Sequence, residues 1–124
     1  MEDDPLTYDI IGAAIAVSKH WGNGLLENVY KKSLVIKLRK ANFDVEVEAP
    51  IPGAFEEVQF DVTFKADIIV NRAVIIEAKA TTGTPPVHRS QLLTYMRLSD
   101  IRTGLLFNFH AYPFTKNGIT RLTL

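Results

Sequence analysis

Apolar residues first recur at helical spacing. Ile10, Ile11, Ala14, Ile15 and Ser18 share one face of a segment that runs to about His20, with Thr7 placed to cap it. Trp21-Gly22-Asn23-Gly24 reads as a turn, because two glycines and an asparagine permit positive φ. A second helix is predicted from Leu25 to about Lys40. Leu26, Val29, Tyr30, Ser33 and Leu34 face inward, Lys31, Lys32 and Lys40 face mostly outward, and Asn42 serves as the C′ residue. The period then changes to two. Val45, Val47 and Ala49 alternate with acids until Pro50, Pro52 and Gly53 end the strand, and Val58, Phe60 and Val62 alternate with Gln59, Asp61 and Thr63 in the next. From Phe64 the run FKADIIV, the connection Asn71-Arg72-Ala73 and the run VIIEAKA are almost continuously apolar, as in central strands covered on both faces. Thr81 to Pro86 break the pattern. A helix from about Val87 to Leu98 and strands at Gly104–Phe109 and Ile119–Leu124 complete the order ααββββαββ. This is an α/β fold, a single mixed β-sheet flanked by helices. No linker or repeat interrupts it, so residues 1–124 are expected to form one domain.

Composition narrows the class. The 124 residues contain no cysteine, so a disulfide framework, a thiolate metal site and a cysteine nucleophile are all excluded, and a reducing compartment is the natural reading. The acidic start Met-Glu-Asp-Asp-Pro does not suit a secretory leader, and Ile10 to Val17, the longest nearly apolar run, is far too short to span a bilayer. A soluble cytoplasmic protein without a membrane partner is expected. Lysines and arginines balance aspartates and glutamates at 14 each. The distribution is uneven: residues 31–41 hold five bases and no acid, residues 42–61 six acids and no base, and residues 62–124 eight bases against three acids. A basic second half can face a phosphate backbone, or its charges can simply cancel in three dimensions.

The anomaly is charge inside the most apolar strands: Asp67, Glu77 and Lys79. Buried carboxylates need partners, a metal or a chemical role. If Asn71-Arg72-Ala73 forms a three-residue hairpin loop, Val70 pairs with Val74 and Asp67 falls opposite Glu77, about 5 Å away on one face. Lys79, two residues beyond Glu77, shares that face. A divalent cation would relieve the repulsion, and two hard oxygen ligands suit Mg²⁺ or Mn²⁺. The other reading is a salt-bridge trio, with Lys79 between two acids at the open end of a sheet.

These residues resemble a known signature. Asp67, a short connection and Glu77-Ala78-Lys79 are similar to the D…(D/E)xK motif of the PD-(D/E)XK nuclease superfamily, with Ala66 where a proline often stands. Gly24-Leu25-Leu26-Glu27-Asn28-Val29-Tyr30 reads GxxExxY, the motif that names a small family within it. Gln91-Leu92-Leu93-Thr94-Tyr95 reads QxxxY and resembles the motif following the core in RecB-type nucleases. The resemblance covers essentially the whole chain and implies a restriction-endonuclease-like core.

It further implies a metal-dependent hydrolase that cleaves phosphodiester bonds of nucleic acid, with DNA the expected partner. Asp67, Glu77 and the carbonyl of Ala78 would hold Mg²⁺ or Mn²⁺, with Glu27 beside them. Lys79 would act on the attacking water or the transition state. Gln91 would reach towards the metal, the lysine or the DNA backbone, and Tyr30, Arg89 and Tyr95 are candidate nucleic-acid contacts. Plainer roles compete at each position. Glu27 at N3 of the second helix satisfies amides there, Tyr30 and Tyr95 can pack in the core, and Arg89 can be a solvated charge. The alternatives to a nuclease are a non-catalytic nucleic-acid- or protein-binding module that keeps the fold, and a structural subunit. A homodimer would supply two sites for two strands.

Overall fold

The computed structural model describes residues 4–61 and 64–124. Helix α1 (Pro5–Trp21) is capped one turn earlier than the spacing predicts. The Asp4 carboxylate accepts from the Thr7 amide at 2.7 Å and from the Thr7 hydroxyl at 2.8 Å, and these bonds hold its carboxyl below the usual range. Pro5 causes the shift: its fixed φ and missing N–H suit the first helical position, which leaves Thr7 buried inside the first turn. Helix α2 (Glu27–Lys40) begins two residues later than expected, so Glu27 stands at N1 and not at N3. Tyr30 locks the turn before it. Its hydroxyl donates to the Gly22 carbonyl at 2.7 Å and accepts from the Leu25 amide at 3.0 Å, and its ring stacks on Phe109. Gly22 itself sits at φ 75°, and Asn42 closes α2 at φ 68°.

Strand β1 (Val45–Ile51) runs through Pro50, which the sequence pattern took for a breaker. It is an edge strand, and an edge tolerates a residue that cannot donate to a ladder on both sides. The expected strand at 58–63 is reduced to a hairpin of β2 (Ala54–Phe55) and β3 (Val58–Gln59) apart from the main sheet. Val58 and Phe60 alternate as strand residues should, yet both are exposed, and Val62 and Thr63 lie outside the described residues. Then follow β4 (Phe64–Val70), β5 (Val74–Lys79), α3 (Pro86–Ser99), β6 (Thr103–Asn108), a four-residue helix α4 (Phe114–Asn117) too short to show periodicity, and β7 (Ile119–Thr123).

The main sheet has the order β1-β4-β5-β6-β7 and is antiparallel except for β5–β6, which α3 connects. It is the mixed α/β sheet expected. Helices α1 and α2 cover one face, packing with Ile68, Val70, Val74 and Ile76. Helix α3 covers the other, where Leu92, Tyr95 and Met96 meet Ala66, Ile69 and Ile75. Gly104 is fixed by this packing, because a Cβ there would come within 2.5 Å of the Met96 sulfur. No helix among the described residues is long and apolar enough to cross a membrane.

Candidate active site

The turn between β4 and β5 is the three-residue loop that the pattern predicts. Asn71 and Arg72 take left-handed φ of 53° and 50°, and the Ala73 amide donates to the Val70 carbonyl at 2.9 Å. Val70 therefore pairs with Val74, Ile69 with Ile75 and Ile68 with Ile76, which brings Asp67 opposite Glu77. There the side chains replace the backbone ladder. The Asp67 amide donates to Glu77 Oε2 at 2.9 Å, and the Ala78 amide donates to Asp67 Oδ2 at 2.9 Å. Each carboxylate thus takes the main-chain donor of the other strand and keeps one oxygen for other partners.

A change of strand phase accompanies this exchange. Residues two apart in a strand share a face, yet Ala66 packs on the α3 side and Ile68 on the α1–α2 side. The neighbouring strand changes in step: Val45 packs on the α1–α2 side and Ala49 on the α3 side. Between them Glu48 takes a left-handed φ of 52° while remaining in register opposite Asp67, since Val47 pairs with Ile68 and Ala49 with Ala66. Both strands turn over at the same rung, and that rung carries the acids.

Two lysines serve the free carboxylate oxygens. Lys79 Nζ lies 3.9 Å from Glu77 Oε1, and Lys31 Nζ lies 3.4 Å from Asp67 Oδ1 while also contacting the Glu48 carboxylate. The Glu77 side chain is only 4% exposed. Burial, and then the Asp67 charge, push its pKa up to about 7 against the opposing pull of the Asp67 amide and the two lysines. Helix α3 brings Tyr95 and His88 to the same region. Burial raises the Tyr95 hydroxyl pKa, with Glu77 and Asp67 adding to it. Burial lowers His88, Lys79 lowers it further, and Glu27 opposes both, so the imidazole feels charges from both α2 and β5. His88 Nδ1 is buried without a hydrogen-bond partner.

Asp67, Glu77, Ala78 and Lys79 therefore come together as expected. The other expected residues stand differently. Glu27 is half-buried at the start of α2, and among the described residues no three His, Asp or Glu side chains are close enough to hold a metal ion. Tyr30, expected as a candidate nucleic-acid contact, has no exposed surface, and its hydroxyl is spent on locking the turn. Tyr95 is 7% exposed and packs against Phe64. Gln91 and Arg89 are exposed on the first turns of α3, and no hydrogen bond among the described residues joins them to the carboxylates.

Two residues of the neighbourhood were missed. Lys31 is buried, not outward, and its spacing with Val35 and Leu38 on the inner face of α2 was the available signal. Asn108 is the other. Its amide donates to the Thr81 and Gly83 carbonyls at 3.1 and 2.9 Å, and its oxygen accepts from the Thr81 and His110 amides at 3.2 Å. That ties down the connection leaving Lys79, and no short motif announces it.

The donor chemistry fits a hard divalent cation. Asp67 and Glu77 each retain an oxygen turned from the shared amides, and such cations complete their shells with main-chain carbonyl and water oxygens. No curated protein and no solved structure matches the chain significantly. A family model described as the PD-(D/E)XK nuclease superfamily matches residues 4–122, a span that includes both helices before the sheet, the acidic rung and the closing strand. The chain belongs to the PD-(D/E)XK nuclease superfamily.

Proposed function

We propose that the chain is a metal-dependent nuclease of the GxxExxY type, hydrolysing phosphodiester bonds of DNA with Mg²⁺ or Mn²⁺. The observation that carries this reading is the reciprocal amide exchange of Asp67 and Glu77, which holds two carboxylates side by side with Lys79 next to them. Asp67, Glu77 and the Ala78 carbonyl would hold the cation, which when bound would acidify water and neutralise charge on the phosphate.

The protein's own groups do the rest. Glu77, whose pKa burial and the Asp67 charge raise to about 7, loses its proton more readily when further positive charge arrives, which couples its ionisation to cation binding. Lys79 offers N–H donors and a positive charge beside the pair, suited to orienting the attacking water and to countering charge on the phosphate. Asn108 fixes the chain just beyond it. Gln91 and Arg89 present donors at the exposed start of α3, where they would position a phosphate backbone without reading sequence. Glu27, whose charge acts on His88 together with that of Lys79, would border the same space from α2.

Calorimetric titration with Mn²⁺, on the wild type and on Asp67→Asn, tests the reading. The wild type is expected to bind in the micromolar to millimolar range, and the variant to lose at least tenfold in affinity. Binding without cleavage of any single- or double-stranded DNA would favour the non-catalytic nucleic-acid-binding module. No binding at millimolar Mn²⁺ would leave the acids and lysines as a structural ion cluster.

A further inference from the structure

Lys31 is the least expected member of the site. A lysine on the inner face of an amphipathic helix loses hydration, and here two carboxylates compensate, Asp67 on β4 and Glu48 on β1. The Asp67 oxygen facing Lys31 is Oδ1, the one that the Ala78 amide leaves free. Glu48 is in turn the one left-handed non-glycine residue within a strand among the described residues, the others standing in turns. Such a conformation persists only where its surroundings enforce it. Its effect is to set a second carboxylate against the ammonium, directly across the strand pair from Asp67.

We propose that Lys31 is a positioning residue that sets the affinity of Asp67 for a divalent cation: its ammonium and the cation compete for Oδ1, and Glu48 retains the ammonium when the cation takes that oxygen. The inference rests on the nuclease reading only in taking Asp67 as a metal ligand. The physical reason is charge. A cation at bonding distance from Oδ1 and an ammonium 3.4 Å from the same atom would place three positive charges within a few ångströms. One must move, and the structure provides the destination. A groove of about 720 Å³ runs alongside Lys31 and Glu48, bordered by Asn28, Val35 and Val47, and gives the flexible side chain room to swing without leaving Glu48. Before any cation arrives, the same ammonium offsets the repulsion between Asp67 and Glu77.

Mn²⁺ calorimetry and metal-free melting of the full chain test this, using Lys31→Met, which keeps the aliphatic stem, and Glu48→Gln. Lys31→Met is expected to bind Mn²⁺ roughly tenfold tighter, the size of a like-charge term at this range, while melting lower without metal. Glu48→Gln is expected to bind several-fold more weakly, because the ammonium then has Asp67 alone. Unchanged or weaker binding by Lys31→Met overturns the proposal. If that variant fails to fold, equal or tighter binding by Glu48→Gln overturns it. A wild type that binds no Mn²⁺ overturns both this inference and the nuclease reading, whereas a wild type that binds beside indifferent variants overturns the inference alone.

Discussion

The two ends of the β4–β5 pair share strands, register and burial but are built on opposite principles. At the turn end, from Val70–Val74 to Ile68–Ile76, main-chain groups satisfy each other, apolar side chains fill both faces, and Asn71 clasps the start of β1 by accepting from the Asp44 amide at 2.8 Å. One rung further on, carboxylates take over the main-chain donors, β4 and its neighbour β1 change phase together, and like charges are held together under burial. The first end is optimised for stability. The second stores an electrostatic cost that the protein itself only partly offsets with Lys31 and Lys79, and such a cost persists where a ligand or a reaction makes use of it.

The contrast can be broken at either end, with different readouts. Lys79→Ala at the open end is expected to cost the largest amount, roughly 10³-fold or about 4 kcal/mol in the rate of DNA cleavage, with a much smaller loss of metal-free stability from the charge it no longer offsets. Single-turnover cleavage beside thermal unfolding checks it. Ile75→Ala at the turn end is expected to do the reverse, destabilising by about 3–4 kcal/mol at every pH through a cavity beneath α3, with denaturant titration as the readout.

The third effect is pH-dependent. Glu77 has a folded pKa of about 7 against an ordinary 4.5, so the metal-free folded chain holds this proton more tightly than the unfolded chain. Its contribution is complete below the ordinary value and is lost as pH rises through about 7, a decline on the order of 3 kcal/mol in all. Glu77→Gln should flatten that slope, and saturating Mn²⁺ should reverse it, which melting curves between pH 4 and 9 would show. The smallest effect is at the turn. Asn71→Ala loses the bond to Asp44 and places alanine at a left-handed φ, at a cost of about 1 kcal/mol without consequence for metal binding.

The legible parts of this design are those fixed by counting. A three-residue loop sets the β4–β5 register, so the meeting of Asp67 and Glu77 follows from sequence separation alone, and a period of two adds Lys79. The run of apolar residues through β4 and β5 likewise announces central strands. What escaped depends on contacts between elements. The phase change at Glu48 and Asp67 arises from two strands turning together, and no alternation rule contains it. The pattern places Lys31 mostly outward, although its spacing with Val35 and Leu38 is that of a core position. The start of α2 was misplaced because Leu25 and Leu26 look helical, whereas the bond from the Leu25 amide to the Tyr30 hydroxyl keeps that amide outside the helix. That shift of two residues is what moves Glu27 from a capping position to the helix's first residue.

The most direct test is cleavage of a mixed panel of single- and double-stranded DNA by the wild type and by Asp67→Asn, each with Mg²⁺, with Mn²⁺ and with chelator. The account predicts metal-dependent cleavage by the wild type that chelator abolishes and Asp67→Asn lacks. Intact DNA in the presence of a wild type shown to bind metal, or cleavage that survives Asp67→Asn, would contradict it.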